Sequence, residues 1–354
     1  MKVLVISLAG NGDTLFATPL IHELRANFPD GQIDAFVLWR GAAELLAGNP
    51  HLNTVHQHNL IAAGKLESLK FLRRLRRERY DVSFNTHPQS RIAYRAVARF
   101  IHARQRASHQ YDNSGLLDQL LVNRSIPQDY QRHAIENNLN LLNLVGARPV
   151  LPGHDYELFL SAADRQWADE FIAVHRLAER PRLGLHVGSG GTKNLALRRW
   201  PAGHYLALLR RLAQSHPRVA ALLFGGPDEE KDHAAIVAQT DPDRVFVVRS
   251  EHFRQTAALA ATCNAFLSVD TVLMHIAAAM RVPNQFVIET PTWNKLIEPW
   301  HNPFVLIKNP AVAGRNLEYY RYDGRGIQGT PADLARCMAS VSVDEVYQCI
   351  IQKL

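Results

Sequence analysis

The sequence predicts an α/β protein built from two Rossmann-like domains. Three observations carry this. Short apolar, β-branched runs alternate with helical patterns, the alternation restarts past the middle of the chain, and several runs end in glycine-rich turns that open a helix. Strands alternating with helices form parallel sheets covered on both faces. A chain of 354 residues is long for one domain and comfortable for two.

In order, strands are predicted at Lys2–Ser7, Ile33–Leu38 and Val82–Asn85, with helices at Thr14–Asn27, Lys65–Arg79, Arg91–His102 and His133–Val145. The series restarts with strands at Arg182–Val187, Val219–Phe224, Val245–Val248 and Ala265–Val269. Helices at Ala202–Ser215, Glu229–Thr240, Phe253–Thr262 and Thr271–Met280 interleave with them. The junction falls in GARPVLPGHDYELFLSAAD, residues 146–164, where glycine and proline breakers precede an amphipathic restart. The expected domains are residues 1–155 and 156–354, with the last helix packing back toward the first domain. Ligands of such sheets sit beyond the carboxyl ends of the strands, and a cleft between two such domains is a natural site.

Composition narrows the function classes. Apolar residues make up 47% and charged residues 21%, ordinary for a soluble globular protein. No apolar run approaches the ~18 residues of a bilayer span, and MKVLVIS is too short and wrongly flanked for a signal peptide. Cys263, Cys337 and Cys349 are odd in number and lack metal-type spacing, which argues against a disulfide framework or zinc site and for a reducing cytoplasm. The net charge of +7 lies mostly in the first half, where residues 1–150 hold 18 Lys and Arg against 12 Asp and Glu. That asymmetry points to an anionic partner: an acidic saccharide, a phospholipid surface or nucleic acid.

Four loops follow strand candidates. In LAGNGDTLFATPL, residues 8–20, Gly10 and Gly12 form a G-x-G, but Leu15 stands where a dinucleotide fingerprint needs a third small residue. The Lys-Ser/Thr pair of a Walker loop is also absent. What remains is a tight turn that delivers Asp13 to the first turn of a helix, where free N–H groups and the dipole favour a carboxylate. Such an aspartate serves as a helix cap or accepts a proton from an attacking hydroxyl. In HVGSGGTKNLALRRWP, residues 186–201, Gly188 to Thr192 offer amides and hydroxyls, and Lys193, Arg198 and Arg199 offer cations. This reads as a pyrophosphate site or as a flexible loop with a solvated basic tip. In LLFGGPDEEKD, residues 222–232, Glu229 and Glu230 complement a helix dipole or bind ribose hydroxyls. In FLSVDTVLMHIAAAM, residues 266–280, a strand runs into Asp270 and a helix opens with Thr271 and Val272, a place for an anion. His275 follows, and a lone histidine is more often structural than functional.

Together these segments resemble glycosyltransferase family 9, the bacterial heptosyltransferases of lipopolysaccharide core assembly. In VLVISLAGNGDTLFATPLIHELRANFP, Gly12, Asp13, Thr18, Pro19, Leu24 and Arg25 fit the family's strand, Gly-Asp turn and Thr-Pro helix. RRWP, FGGPDEE, SVDTVLMHIAAAMRVPNQFVIETPT and CMASVSVDEV resemble its later segments, in the same order. The resemblance implies a GT-B fold, with parallel sheets facing a central cleft, the acceptor on the N-terminal domain and a nucleotide sugar on the C-terminal domain. It implies an inverting, metal-independent transfer with no cofactor beyond the donor, and no Asp-x-Asp is placed for a nucleotide sugar. Asp13 takes the role of general base and Arg198 that of the donor-binding cation. Asp270, Thr271 and His275 form the anion-binding helix start, and Glu229 or Glu230 the ribose carboxylate. Ser189, Thr192, Lys193 and Val272 complete the expected donor side, and Gly10, Asn11, Gly12, Arg91 and Arg95 the acceptor side. Three departures leave sugar and acceptor open: Arg198 replaces a lysine, Val272 a glycine, and Gly10-Asn11 stand where relatives often carry Ser or apolar residues.

KLESLKFLRRLRRER, residues 65–79, holds seven basic and two acidic residues, with Leu66, Leu69, Leu72 and Leu75 along one stripe. RIAYRAVARF puts Arg91, Arg95 and Arg99 four apart on one helical face. Alone these read as solvated faces. With a lipid A-core acceptor they meet Kdo carboxylates, lipid A phosphates or an anionic leaflet, which implies a cytoplasmic protein peripheral at the inner face of the inner membrane. No helix-turn-helix, aromatic-interleaved basic motif or zinc spacing supports nucleic acid. The expected activity is transfer of a heptose from ADP-heptose to a lipopolysaccharide core acceptor. The alternatives are another nucleotide sugar and glycan on the same fold, or a non-catalytic nucleotide-binding module.

Overall fold

The computed structural model describes residues 1–190, 195–312 and 330–353. Met1–Phe159 form one unit, and the described residues from Leu160 onward form a second. The first unit holds β1 Lys2–Ser7, β2 Gln32–Val37, β3 Thr54–Gln57, β4 Val82–Asn85, β5 Gln105–Gln110 and β6 Arg124–Pro127. They pair in parallel in the order β3-β2-β1-β4-β5-β6. The second unit holds β7 Arg182–His186, β8 Ala220–Phe224, β9 Val245–Val247, β10 Ala265–Ser268, β11 Asn284–Ile288 and β12 Phe304–Ile307. These too are parallel, in the order β12-β11-β10-β7-β8-β9. Counted within its own sheet, each unit shows the doubly wound order 3-2-1-4-5-6. The direction of strand addition reverses between β1 and β4, and again between β7 and β10. A ligand crevice is expected beyond the carboxyl ends of those pairs.

Strands such as β1 and β8 are continuous apolar runs because helices cover both faces. Val3 to Ile6 of β1 and Leu222 to Phe224 of β8 are fully buried. The predicted β1 and β4 coincide with the observed ones, and β2 is shifted by one residue. The sequence reading misses β3, β5 and β6, whose residues TVHQ, QRASHQ and RSIP carry no apolar pattern. Backbone pairing in a parallel ladder does not require apolar side chains, so such strands become visible only when a neighbour is present.

The helix predicted at Thr14–Asn27 is two helices, Asn11–Leu15 and Thr18–Asn27. Pro19 lacks an N–H and its ring crowds the carbonyl four residues back. Thr18 Oγ1 donates to that Leu15 carbonyl at 2.8 Å and accepts the Glu157 N–H at 3.0 Å. Glu23 on the second helix has no exposure at all. Its carboxylate accepts the N–H groups of Val150 and Leu151 and contacts His154 Nε2, all within 3.0 Å. Burial alone raises its pKa, but these donors outweigh burial and hold the carboxyl below its usual range.

Two readings of the basic helices are corrected. The leucines of Lys65–Arg77 do not form one buried stripe: Phe71 and Leu75 are buried, whereas Leu66 is 63% exposed. A strict three-residue spacing falls roughly 60° short of a turn at each step, so Leu66 and Leu75 end on opposite sides. Arg95 is not on a solvated face. It is buried, ion-paired with Asp118, and donates to the carbonyls of Gln89 at 3.0 Å and Ser90 at 2.8 Å. The last helix, Val343–Ile351, buries Val346, Tyr347 and Ile350 in the core of the second unit.

Candidate functional site

In the second unit the loops after β7 and β10 meet at the reversal point. Arg198 closes the short helical turn Leu195–Arg198 and is buried. Its Nη1 lies 2.5 Å from Asp270 Oδ2 and 3.0 Å from Thr292 Oγ1. Burial raises the Asp270 pKa and the Arg198 guanidinium opposes that rise. The arginine is held from the next turn of chain, where buried Trp200 donates its indole N–H to the Val341 carbonyl at 2.9 Å. Arg198 Nε has no hydrogen-bond partner among the described residues. The guanidinium is therefore positioned by Asp270, with its buried Nε–H unpaired among the described residues.

Thr271 occupies the N-cap position of the helix Val272–Ala279 but gives its own helix no side-chain cap. Its hydroxyl lies 2.9 Å from His186 Nδ1 at the end of β7. The helix start thus has no side-chain cap, and the Met274 N–H bonds the Thr271 carbonyl at 3.1 Å. Val272 is half-buried at the first helical position, and His275 is buried one turn further on.

Of the two glutamates, Glu229 is buried and Glu230 exposed. Glu229 Oε1 lies 2.7 Å from Arg199 Nη2, and its Oε2 accepts the Gly226 N–H at 2.9 Å. Burial raises its pKa, against the Gly226 N–H and Arg199. Arg199 also donates to the Ser189 carbonyl at 3.1 Å and pairs with Asp232 at 3.2 Å. A Cβ at position 188 would lie 2.4 Å from Glu229 Cδ, so a larger residue there displaces the Glu229 carboxylate. Ser189 is buried and its Oγ has no partner among the described residues. Thr192 and Lys193 lie outside the described residues. The sequence reading gives no role to His186 or Thr292 and treats Arg199 only as a further cation. The pair Arg198-Arg199 before Trp200 is the feature that marks Arg199. The Asp-x-Asp at Asp241–Asp243 precedes β9, at the edge of the sheet opposite these loops.

In the first unit Asp13 is the third residue of the helix Asn11–Leu15, with Gly10 at the N-cap. Its Oδ2 reaches back to the Gly10 N–H at 2.7 Å, so the carboxylate caps its own helix while remaining half-exposed. Asn11 Oδ1 is buried without a hydrogen-bond partner among the described residues, and Gly12 is buried. Burial raises the Tyr94 and Tyr111 phenols, and the Asp13 charge adds to both. Arg91, half-buried at the N-cap of Ile92–Ile101, acts on Tyr94 in the opposite sense. These side chains therefore share one neighbourhood.

The loop after β4, THPQS, is the feature the sequence reading misses. Its residues are all buried, and all but Pro88 are polar. The Thr86 N–H reaches the Ile6 carbonyl at 3.1 Å, the His87 N–H reaches Asn138 Oδ1 at 2.7 Å, and Arg95 holds the carbonyls of Gln89 and Ser90. A run of four polar residues and a proline directly after a buried strand at the reversal point is its mark in the sequence.

Burial, as the leading cause, pushes His109 to about 4 and His186 and His275 to about 3. In the unfolded chain each imidazole takes a proton near 6.5. Below that pH the unfolded state binds more protons than the native state. Their contribution is therefore fully present above about pH 6.5 and is lost as pH falls toward 3–4. At pH 5.5 each accounts for roughly 1.4 kcal/mol, so the thermal midpoint is expected to drop steeply between pH 7 and 5.5. A midpoint flat across that range in a denaturation series contradicts the burial of neutral imidazoles.

Comparison with known proteins places this geometry. "Lipopolysaccharide heptosyltransferase 3" of Escherichia coli K12 is 23% identical over 326 residues, covering 87% of this chain and 90% of that one. "Lipopolysaccharide heptosyltransferase 2" of the same strain is 26% identical over 305 residues, covering 80% and 81%. Among solved structures, a glycosyl transferase family 9 protein from Veillonella parvula superposes with a TM-score of 0.77 at 19% identity, covering 99% of this chain and 96% of that one. Escherichia coli heptosyltransferase WaaC with ADP gives 0.73 at 19% identity, covering all of both chains. The two parallel six-stranded sheets thus match the GT-B heptosyltransferase fold. The description "Glycosyltransferase family 9 (heptosyltransferase)" matches residues 68–318, well over half of the sequence, and the chain is a glycosyltransferase belonging to that family.

Proposed function

We propose that the chain transfers a heptose from ADP-heptose to a lipopolysaccharide core acceptor, with inversion and without a metal. The observation that carries this reading is the cluster at the β7–β10 reversal point. Buried Arg198 is positioned by Asp270, an uncapped helix start lies at Val272, and Glu229 is held by Arg199. Arg198 and the helix N–H groups offset the negative charge that develops on the departing diphosphate. Ser189 Oγ adds a donor, and Glu229 retains lone pairs for the ribose hydroxyls. On the acceptor side, Asp13 receives the proton of the attacking hydroxyl. That hydroxyl is a far weaker acid than a carboxylic acid, so proton transfer accompanies attack.

The relatives named as lipopolysaccharide heptosyltransferases support the acceptor class, and the WaaC structure with ADP supports the nucleotide. Lys65, Lys70, Arg73, Arg74, Arg76 and Arg77 are all exposed on one helix, a fit to phosphates of the acceptor or of a cytoplasmic leaflet. No helix among the described residues is long and apolar enough to cross a membrane. The reading places the protein in the cytoplasm, peripheral at the inner membrane.

The test is ADP release by purified protein given ADP-heptose and a panel of lipopolysaccharides truncated at successive core sugars. Release with at least one acceptor is expected, as is a larger thermal shift with ADP than with UDP or GDP. Greater stabilisation by UDP or GDP overturns the donor assignment, and no release across the panel overturns the activity.

A further inference from the structure

The first unit contains a second cluster of chemistry-bearing side chains that the transfer reaction does not use. His22 lies on the helix Thr18–Asn27, His51 in the turn before β3, and Glu157 in the last residues of the unit. His22 Nδ1 is 2.5 Å from Glu157 Oε1, and His51 Nε2 is 3.5 Å from Glu157 Oε2. The two imidazole rings stack at 3.8 Å. One ligand-type atom from each residue lies within 4.8 Å of the other two.

Each of these residues is anchored apart from the cluster. Thr18 Oγ1 accepts the Glu157 N–H, Asn49 Oδ1 accepts the His51 N–H at 2.9 Å, and Arg25 Nη2 donates to the His51 carbonyl at 3.2 Å. His22 sits in a regular helix turn. Glu157 Oε2 is buried and accepts no hydrogen bond among the described residues. A buried carboxylate oxygen without a donor is costly, and a cation at that point relieves the cost.

We propose that His22, His51 and Glu157 form a structural site for a divalent transition metal of the zinc class, with water in the open position. Two imidazoles and one carboxylate suit Zn²⁺, Co²⁺ or Ni²⁺, whereas Mg²⁺ and Ca²⁺ take oxygen ligands. A tetrahedral zinc with bonds of ~2.0 Å sets its donor atoms ~3.3 Å apart. The observed 2.5 and 3.5 Å bracket that separation, and the two stacked rings must turn apart so that the metal lies in the plane of each. The metal competes with protons for the imidazoles and the carboxylate, so binding weakens as pH falls. Bound metal joins the helix, the turn before β3 and the end of the unit. None of the three residues has a donor or acceptor role, so the site stands or falls apart from the proposed transfer reaction.

The experiment uses the full chain without a polyhistidine tag, stripped by chelator and titrated with CoCl₂. One equivalent should bind, with visible ligand-field absorption and a rise of several degrees in the thermal midpoint, and ZnCl₂ should displace it. His51→Gln and Glu157→Gln should each weaken Co²⁺ binding at least tenfold. His22→Asn serves as a third variant should either of those fail to fold, as judged by circular dichroism of the metal-free protein. Absence of ligand-field absorption in the wild-type chain overturns the proposal, as does equal binding by the folded variants. Chelation should leave ADP release unchanged, so failure of the metal site and failure of the transferase reading give separate results.

Discussion

Asp13→Asn is expected to lower kcat for sugar transfer by about 10²–10⁴-fold, the usual contribution of a positioned general base. ADP affinity and the thermal midpoint should stay close to wild type. The amide keeps the shape of the side chain, and its oxygen can still accept the Gly10 N–H that Asp13 now holds at 2.7 Å. It cannot take a proton from the acceptor. Asp13→Ala removes both functions and should cost a further ~0.5–2 kcal/mol of stability through the lost cap. The two variants therefore separate capping from catalysis, with ADP release and calorimetric ADP binding as the readouts. Near-normal turnover by Asp13→Asn would assign the carboxylate to the cap alone.

Asp270→Asn is expected to destabilise the second unit by about 3–5 kcal/mol, because it leaves the buried Arg198 guanidinium without its counter-charge. Arg198→Met should cost a comparable amount by stranding Asp270, whose carboxylate burial already disfavours. The double variant Arg198→Met/Asp270→Asn buries no charge and should cost clearly less than the sum of the two singles. Urea denaturation measures all three. The double variant should nevertheless lose ADP binding, since the cation assigned to the diphosphate is gone. Strict additivity would show that the 2.5 Å pair does not act as a unit. Full ADP affinity in the double variant would remove Arg198 from the donor site.

Much of the plan was legible because buried parallel strands must be continuous apolar runs. Lys2–Ser7 and Val219–Phe224 were visible for that reason. The loops were legible because a chain that leaves such a strand and enters a helix needs small residues and a polar first turn. Polar strands such as QRASHQ were not, since their burial depends on neighbours distant in sequence. Helical spacing misled in two places. It grouped Arg91, Arg95 and Arg99 on one face, but the geometry of a helix does not say which neighbour covers that face. Beside the loop at Gln89–Ser90 and Asp118, Arg95 became a buried brace. It also treated a three-residue leucine spacing as a stripe, although the helical period carries such a row around the axis.

By itself, the sequence determined a doubly wound α/β plan, the glycine-rich exits from its strands and a family resemblance, because local periodicity and turn chemistry record those. Only the tertiary structure decided which polar groups act together. Arg198 and Asp270 stand 72 residues apart, and His186 and Thr271 stand 85 apart. They meet because the strand order places β7 beside β10, with β8 and β9 on the far side. The choice of Glu229 over Glu230 has the same origin. One of two adjacent carboxylates turns into the space left at Gly188 and finds Arg199, while the other faces water. Charge pairing across a sheet depends on which strands are neighbours, and spacing along the chain carries no record of that.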